Sequence, residues 1–130
     1  MVNKKTMGTN QTIIPVLRIL DVDKAKEFYI GWLGFSIDWE HRFGENFPLY
    51  CQVSRDGIIL HLTEHYGDCI PGSRIRIQLN DVRQLHHELR EKDYRYYKPG
   101  VENTEWGTIE MSVTDPFGNH IVFTQPANAE

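Results

Sequence analysis

The chain repeats itself. Asp21-Val22 recurs as Asp81-Val82, sixty positions on, each time between a strand-like apolar run and a helical one. Gly57, leading to Leu62-Thr63, recurs as Gly118, leading to Phe123-Thr124, sixty-one positions on. A repeat of this kind restricts the architecture before any local propensity is weighed. Each unit must be the same small motif, and each must bury its apolar face against the other. A chain of 130 residues then holds one domain, 1–130, made of two units.

Local patterning identifies the motif. In the first unit, about 12–66, Ile13 to Leu20 is a strand with Pro15 near its start, where a strand tolerates proline. Asp21 is an N-cap. Ala25, Phe28, Tyr29, Trp32 and Leu33 follow at helical spacing as a buried stripe, and Gly34 stops the helix in a left-handed cap. Phe35 to Trp39 alternates as a strand, and Phe43-Gly44-Glu45-Asn46 is a turn. Phe47 to Val53 is the next strand, and Arg55-Asp56-Gly57 turns the chain into Ile58 to Thr63.

The second unit, about 73–125, keeps this order. Arg74 to Leu79 is a strand, and Val82, Leu85, His86 and Leu89 mark a helix. After a break at Pro99-Gly100, one hairpin runs from Trp106 to Thr124 through the turn residues Asp115-Pro116 and Gly118-Asn119. The expected fold is α+β: two tandem βαβββ units whose curled mixed sheets surround a cleft. Residues 1–11 read as a flexible tail.

Charge and composition exclude several partners. The net charge is −4 and no basic run is long enough to neutralise phosphates, so nucleic acid is not expected. No run of 18 apolar residues exists for a membrane, and the first residues lack the apolar core of a signal peptide. Cys51 and Cys69 are expected to be reduced, which places the protein in the cytoplasm. They would act as nucleophiles only beside an activating base.

Three stretches resemble the vicinal oxygen chelate superfamily of glyoxalases, extradiol dioxygenases and bleomycin resistance proteins. Pro15-Val16-Leu17, with Asp21-Val22, Phe28-Tyr29 and Leu33-Gly34-Phe35-Ser36, is similar to the opening of the bleomycin resistance branch. Trp106-Gly107, with Asp115-Pro116 and Gly118-Asn119 beyond it, is similar to that branch's closing hairpin. Leu60-His61-Leu62-Thr63 into Ile70-Pro71 is a looser match. The Asp-Pro-x-Gly turn is shared across the superfamily and carries no information about ligand.

Catalytic members of that superfamily hold a divalent metal with His, Glu or Gln. By the resemblance and the repeat, those places fall on Ile14, His61, Arg74 and Val122. Only His61 can coordinate, because aliphatic side chains have no donor and a guanidinium stays protonated. One imidazole does not make a site, since zinc or iron takes at least three protein ligands. His65 does not help, for four residues along a straight strand span about 13 Å. Adjacent His86 and His87 diverge by about 100° on a helix. The expectation is no metal, no cofactor and no catalytic residue.

What remains is a pocket. Trp39, Phe43, Phe47, Tyr50 and Trp106 form its expected aromatic lining, with His61 and Glu110 in the cleft and Asp38, Glu40, Glu45, Glu102 and Glu105 close by. Rings rimmed by carboxylates suit a flat cation, with about 0.5–2 kcal/mol for each ring contact. The resemblance implies a homodimer that sequesters a bleomycin-type antibiotic in crevices at the subunit interface, with the positions of Trp39 and Trp106 forming the crevice. His61 departs from that branch, which places an apolar residue there. Two alternatives stay open: a metal-dependent lyase, isomerase or dioxygenase of the same fold, and a binding module for another small metabolite.

Overall fold

The computed structural model describes Gly8 and residues 12–95 and 97–127. Apart from Gly8, the tail expected at 1–11 lies outside the described residues. The first unit consists of β1 (Val16–Arg18), α1 (Val22–Lys26) continued by a π-helical turn (Glu27–Trp32), β2 (Ser36–His41), β3 (Tyr50–Arg55) and β4 (Ile58–Thr63). The second consists of β5 (Arg74–Gln78), α2 (Val82–Glu91), β6 (Glu102–Asn103), β7 (Thr108–Thr114) and β8 (His120–Pro126). The sheets have the orders β1-β4-β3-β2 and β5-β8-β7-β6, so each unit repeats the other's topology. In both, the first strand lies parallel to the last and the other pairs are antiparallel.

The repeated residues do the same work twice. Asp21 and Asp81 sit in extended backbone at the helix starts. Their carboxylates accept from Lys24 N at 2.9 Å and Gln84 N at 3.0 Å, satisfying first-turn amides that have no partner within the helix. Asp56 and Gly57 both have positive φ, at 49° and 88°, the requirement of a two-residue hairpin whose twist matches its strands.

Three expectations need correction. Only Val16–Arg18 of the first apolar run pairs as a strand, and Ile13 is exposed. The strand expected from Phe47 begins at Tyr50, leaving Phe47 in the preceding loop. Strand β2 does not alternate regularly: Ile37 pairs with Val53 but Trp39 pairs with Gln52, so Asp38 is the extra residue of a bulge. A bulge leaves one residue unpaired and re-aims the side chains around it.

One core serves both units. Leu17, Phe28, Tyr29, Leu60 and Leu62 join Val82, Leu89, Met111, Ile121 and Phe123 in a single buried cluster. Trp32 of the first unit meets Tyr94 and Tyr97 of the second, with ring centroids 5.2 and 5.8 Å away. Because side chains alternate along a strand, burying one face of each sheet leaves its other face open. The site lies on those open faces.

Candidate functional site

On the first sheet's open face, hydrogen bonds order the residues from Asp38 to Tyr50. Asp38 accepts from Ser54 Oγ and from Gln52 Nε2, each at 3.0 Å. Those two bonds hold the Asp38 carboxyl below its ordinary pKa, so it is ionised at neutral pH. Gln52 Oε1 lies 3.0 Å from His61 Nε2, and His61 Nδ1 lies 2.8 Å from the Tyr50 hydroxyl. The bulge makes this row possible. Regular alternation would send Asp38 and Trp39 to opposite faces, whereas here Asp38 bonds Gln52 while Trp39 packs on His61.

The rings form a patch. Trp39 stacks on Tyr50 at 6.1 Å with planes 12° apart, and meets His61 edge-on at 5.3 Å. Phe43 extends the patch through His41 at 4.6 Å and His65 at 5.9 Å. His65 also approaches Tyr50, at 6.5 Å. It lies beyond the end of β4, so the straight-strand separation from His61 does not describe its position. Phe47 stays outside the patch: its ring lies over Gly44 and its carbonyl accepts from Arg42 Nη1.

Trp106 and Glu110 belong to the other sheet. Trp106 is 69% exposed on the turn before β7. Glu110 is nearly enclosed, accepting from Arg76, Thr108 and Thr124. Burial raises its pKa, but those bonds, with the Arg76 charge, outweigh burial and lower it on balance. Among the described residues, no hydrogen bond or ring contact joins this pair to the Trp39 patch. A cleft of about 450 Å³ does separate the two units, lined in part by Phe35, Arg55, Ile58, Asp81 and Leu85. None of the seven expected ligand-binding residues lines it. Of the seven residues expected in one cleft, the structure brings Trp39, Phe43, Tyr50 and His61 together, and it adds Asp38's role, Gln52, His41 and His65, which the sequence does not single out.

The donors do not fit a metal. Register places Val16 beside His61, and Arg76 beside Val122. His120, opposite Arg74, bonds Thr114 Oγ1 through Nδ1. An aliphatic or a guanidinium at these places offers an ion no lone pair, and both nitrogens of His61 already face partners. Among the described residues, no group of three or more His, Cys, Asp and Glu could hold a metal ion.

Both cysteines are free. Burial pushes the Cys51 thiol up to about 11, with Glu40 adding to the rise, so little thiolate exists at neutral pH. In the folded protein at pH 8, iodoacetamide is expected to leave Cys51 intact, while in denaturant it alkylates readily. Mass mapping of a timed reaction distinguishes these outcomes.

The family profile described as "Glyoxalase superfamily protein" matches residues 3–130. No curated protein matches at a significant level. Among solved structures, TnmS3, an antibiotic binding protein from Streptomyces sp. CB03234, is 26% identical with a TM-score of 0.68, covering 93% of this chain and 99% of that one. A glyoxalase/bleomycin resistance protein from the same strain is 27% identical with a TM-score of 0.63, covering 86% and 97%. A bleomycin-binding protein crystallised with bleomycin shares the fold at 21% identity, with a TM-score of 0.69 and coverage of 89% and 98%.

Proposed function

Since this chain belongs to the glyoxalase superfamily yet has no metal-binding donor set among the described residues, we propose that it binds its ligand without transforming it. The ligand is a flat, cationic antibiotic of the bleomycin type, held by sequestration in an aromatic, acid-rimmed cleft. The observation that carries this reading is the stack of exposed Trp39 on Tyr50, linked through His61 and Gln52 to the ionised Asp38. Stacking and cation–π attraction favour a flat cation there, and the nearby carboxylate steers it.

In one chain Trp39 lies on the open face of the first sheet and Trp106 on the turn before β7 of the second. A second copy, presenting its second sheet to the first sheet of its partner, completes the crevice in this reading. The exposed rings of Trp39, Phe43, Phe47 and Trp106 supply apolar surface for such a contact. The protein acts in the cytoplasm as a homodimer. Similarity to an antibiotic-binding Streptomyces protein supports a second reading, in which the same crevice takes an antibiotic of another class.

Tryptophan fluorescence tests the reading. Bleomycin is expected to quench emission saturably and stoichiometrically, and Trp39→Phe to weaken binding about tenfold by removing the largest ring of the patch. Trp32, buried in the core, provides an unquenched background. Melting temperature should rise in parallel, by the equivalent of about 2.7 kcal/mol at a hundredfold excess over Kd. Unchanged fluorescence and melting well above micromolar bleomycin would remove the bleomycin reading.

A further inference from the structure

We propose that Asp38, Gln52 and His61 form a hydrogen-bond relay that sets Tyr50 as an acceptor toward the ligand, so the cleft selects molecules presenting an N–H donor or a cation. The inference rests on reading this face as the ligand floor and deepens it by naming the polarity the ligand must have.

Each step follows from what its group can donate or accept. Asp38 is a carboxylate and only accepts, so the Gln52 amide must turn its NH₂ toward Oδ2. Ser54 Oγ occupies the other oxygen and holds the carboxylate in place. The carbonyl of Gln52 then faces His61 Nε2, which must carry the ring proton. In a neutral imidazole the other nitrogen is bare, so Nδ1 accepts and the Tyr50 hydroxyl donates. Tyr50 has spent its only proton inward. Its remaining oxygen lone pairs are available to the ligand, in a ring stacked on Trp39.

The bulge supports the relay separately. Without the extra residue in β2, Asp38 and Trp39 could not serve the same face, and nothing would orient the amide. A freed amide could rotate and present its NH₂ to Nε2. Nδ1 would then carry the proton and donate to Tyr50, whose own proton would point outward. The floor would change from acceptor to donor with no change in its shape.

Two flat probes of similar size read this polarity: proflavine, a cation with N–H donors, and anthracene-9-carboxylate, an anion with acceptors. The wild-type protein is expected to prefer proflavine tenfold or more. Gln52→Leu, which keeps the rings and the Asp38 charge, should narrow that preference at least threefold by removing the relay's contribution alone. Asp38→Asn/Gln52→Glu keeps the charge and restores both acceptors in the relay, so it should recover the preference. Long-range ¹⁵N NMR of the histidines should find His61 protonated at Nε2 in the wild type and the double variant. Asp38→Ala alone, an exposed change that leaves the Gln52 amide no acceptor there, should lose that tautomer even if Gln52→Leu does not fold.

A preference unchanged in Gln52→Leu, or His61 protonated at Nδ1 in the wild type, overturns the relay. So does proflavine binding that Trp39→Ala leaves intact, because the probe would then lie elsewhere. A wild type that discriminates between the probes through Trp39 but ignores bleomycin supports the relay while removing the bleomycin reading.

Discussion

Asn119→Ala is expected to lower the free energy of unfolding by about 3–4 kcal/mol, because it deletes four hydrogen bonds made by one fully buried carboxamide. Asn119 is fully buried. Its Oδ1 accepts from Gly72 N at 3.0 Å and Ser73 N at 3.1 Å. Its Nδ2 donates to Arg18 O at 2.9 Å and to Asp115 Oδ2 at 2.8 Å. One carboxamide thus ties the closing hairpin to the inter-unit connection and to β1, 101 positions away. Alanine keeps Asn119's own backbone bonds with Asp115 and deletes the rest. Asn119→Asp should do no better at neutral pH, since it restores an acceptor for Gly72 and Ser73 but sets a second carboxylate beside Asp115. Urea denaturation checks this as a lower midpoint at constant slope. A loss under 1 kcal/mol would mean that water replaces the carboxamide at little cost.

That example marks the limit of what the residues disclose by themselves. Asp115, Pro116, Gly118 and Asn119 read as a turn because their backbone preferences are local. Asp115 does accept from Phe117 N and Asn119 N within the turn. The ties to Arg18 and Tyr29 depend on how two units pack, and no local pattern encodes them. The site divides in the same way. A two-residue turn at Asp56-Gly57 sets the β3–β4 register, so the facing of Gln52 and His61 was derivable by counting back from the turn. The bulge at Asp38 was not. Ser36 to Trp39 has the alternation of a flat strand, and the slip shows only in the pairing with β3. Hence Trp39, Tyr50 and His61 were grouped from sequence, while the acid that orients them was assigned to the rim. Trp106 is expected in the same cleft as an aromatic and by the resemblance, and Glu110 as an acid near it in sequence. In one chain, however, Glu110 stands on the other sheet and Trp106 on the turn before β7.

Gly34→Ala is expected to cost about 2–3 kcal/mol, from two causes that a double-mutant cycle separates. Gly34 has φ of +79°, a left-handed conformation that costs an alanine about 1 kcal/mol or more. Its added Cβ would also lie 2.7 Å from Arg55 Nη1. That guanidinium donates to Leu33 O at 2.7 Å and grips both oxygens of Glu88, at 2.8 and 2.6 Å, latching the end of β3 to α2 of the other unit. In an Arg55→Ala background the steric cause disappears, so Gly34→Ala should cost only its backbone strain, about 1 kcal/mol. The latch also has a pH signature. Hydrogen bonds from Arg55 hold the Glu88 carboxyl below its ordinary range, against the opposing effect of burial. A carboxyl with a lowered folded-state pKa contributes stability above its unfolded value and loses it as pH falls through the folded one. The stability difference between wild type and Glu88→Gln should therefore be constant above about pH 5 and shrink below about pH 4. A difference that persists undiminished at pH 3 would show that Glu88 acts through packing rather than through its charge.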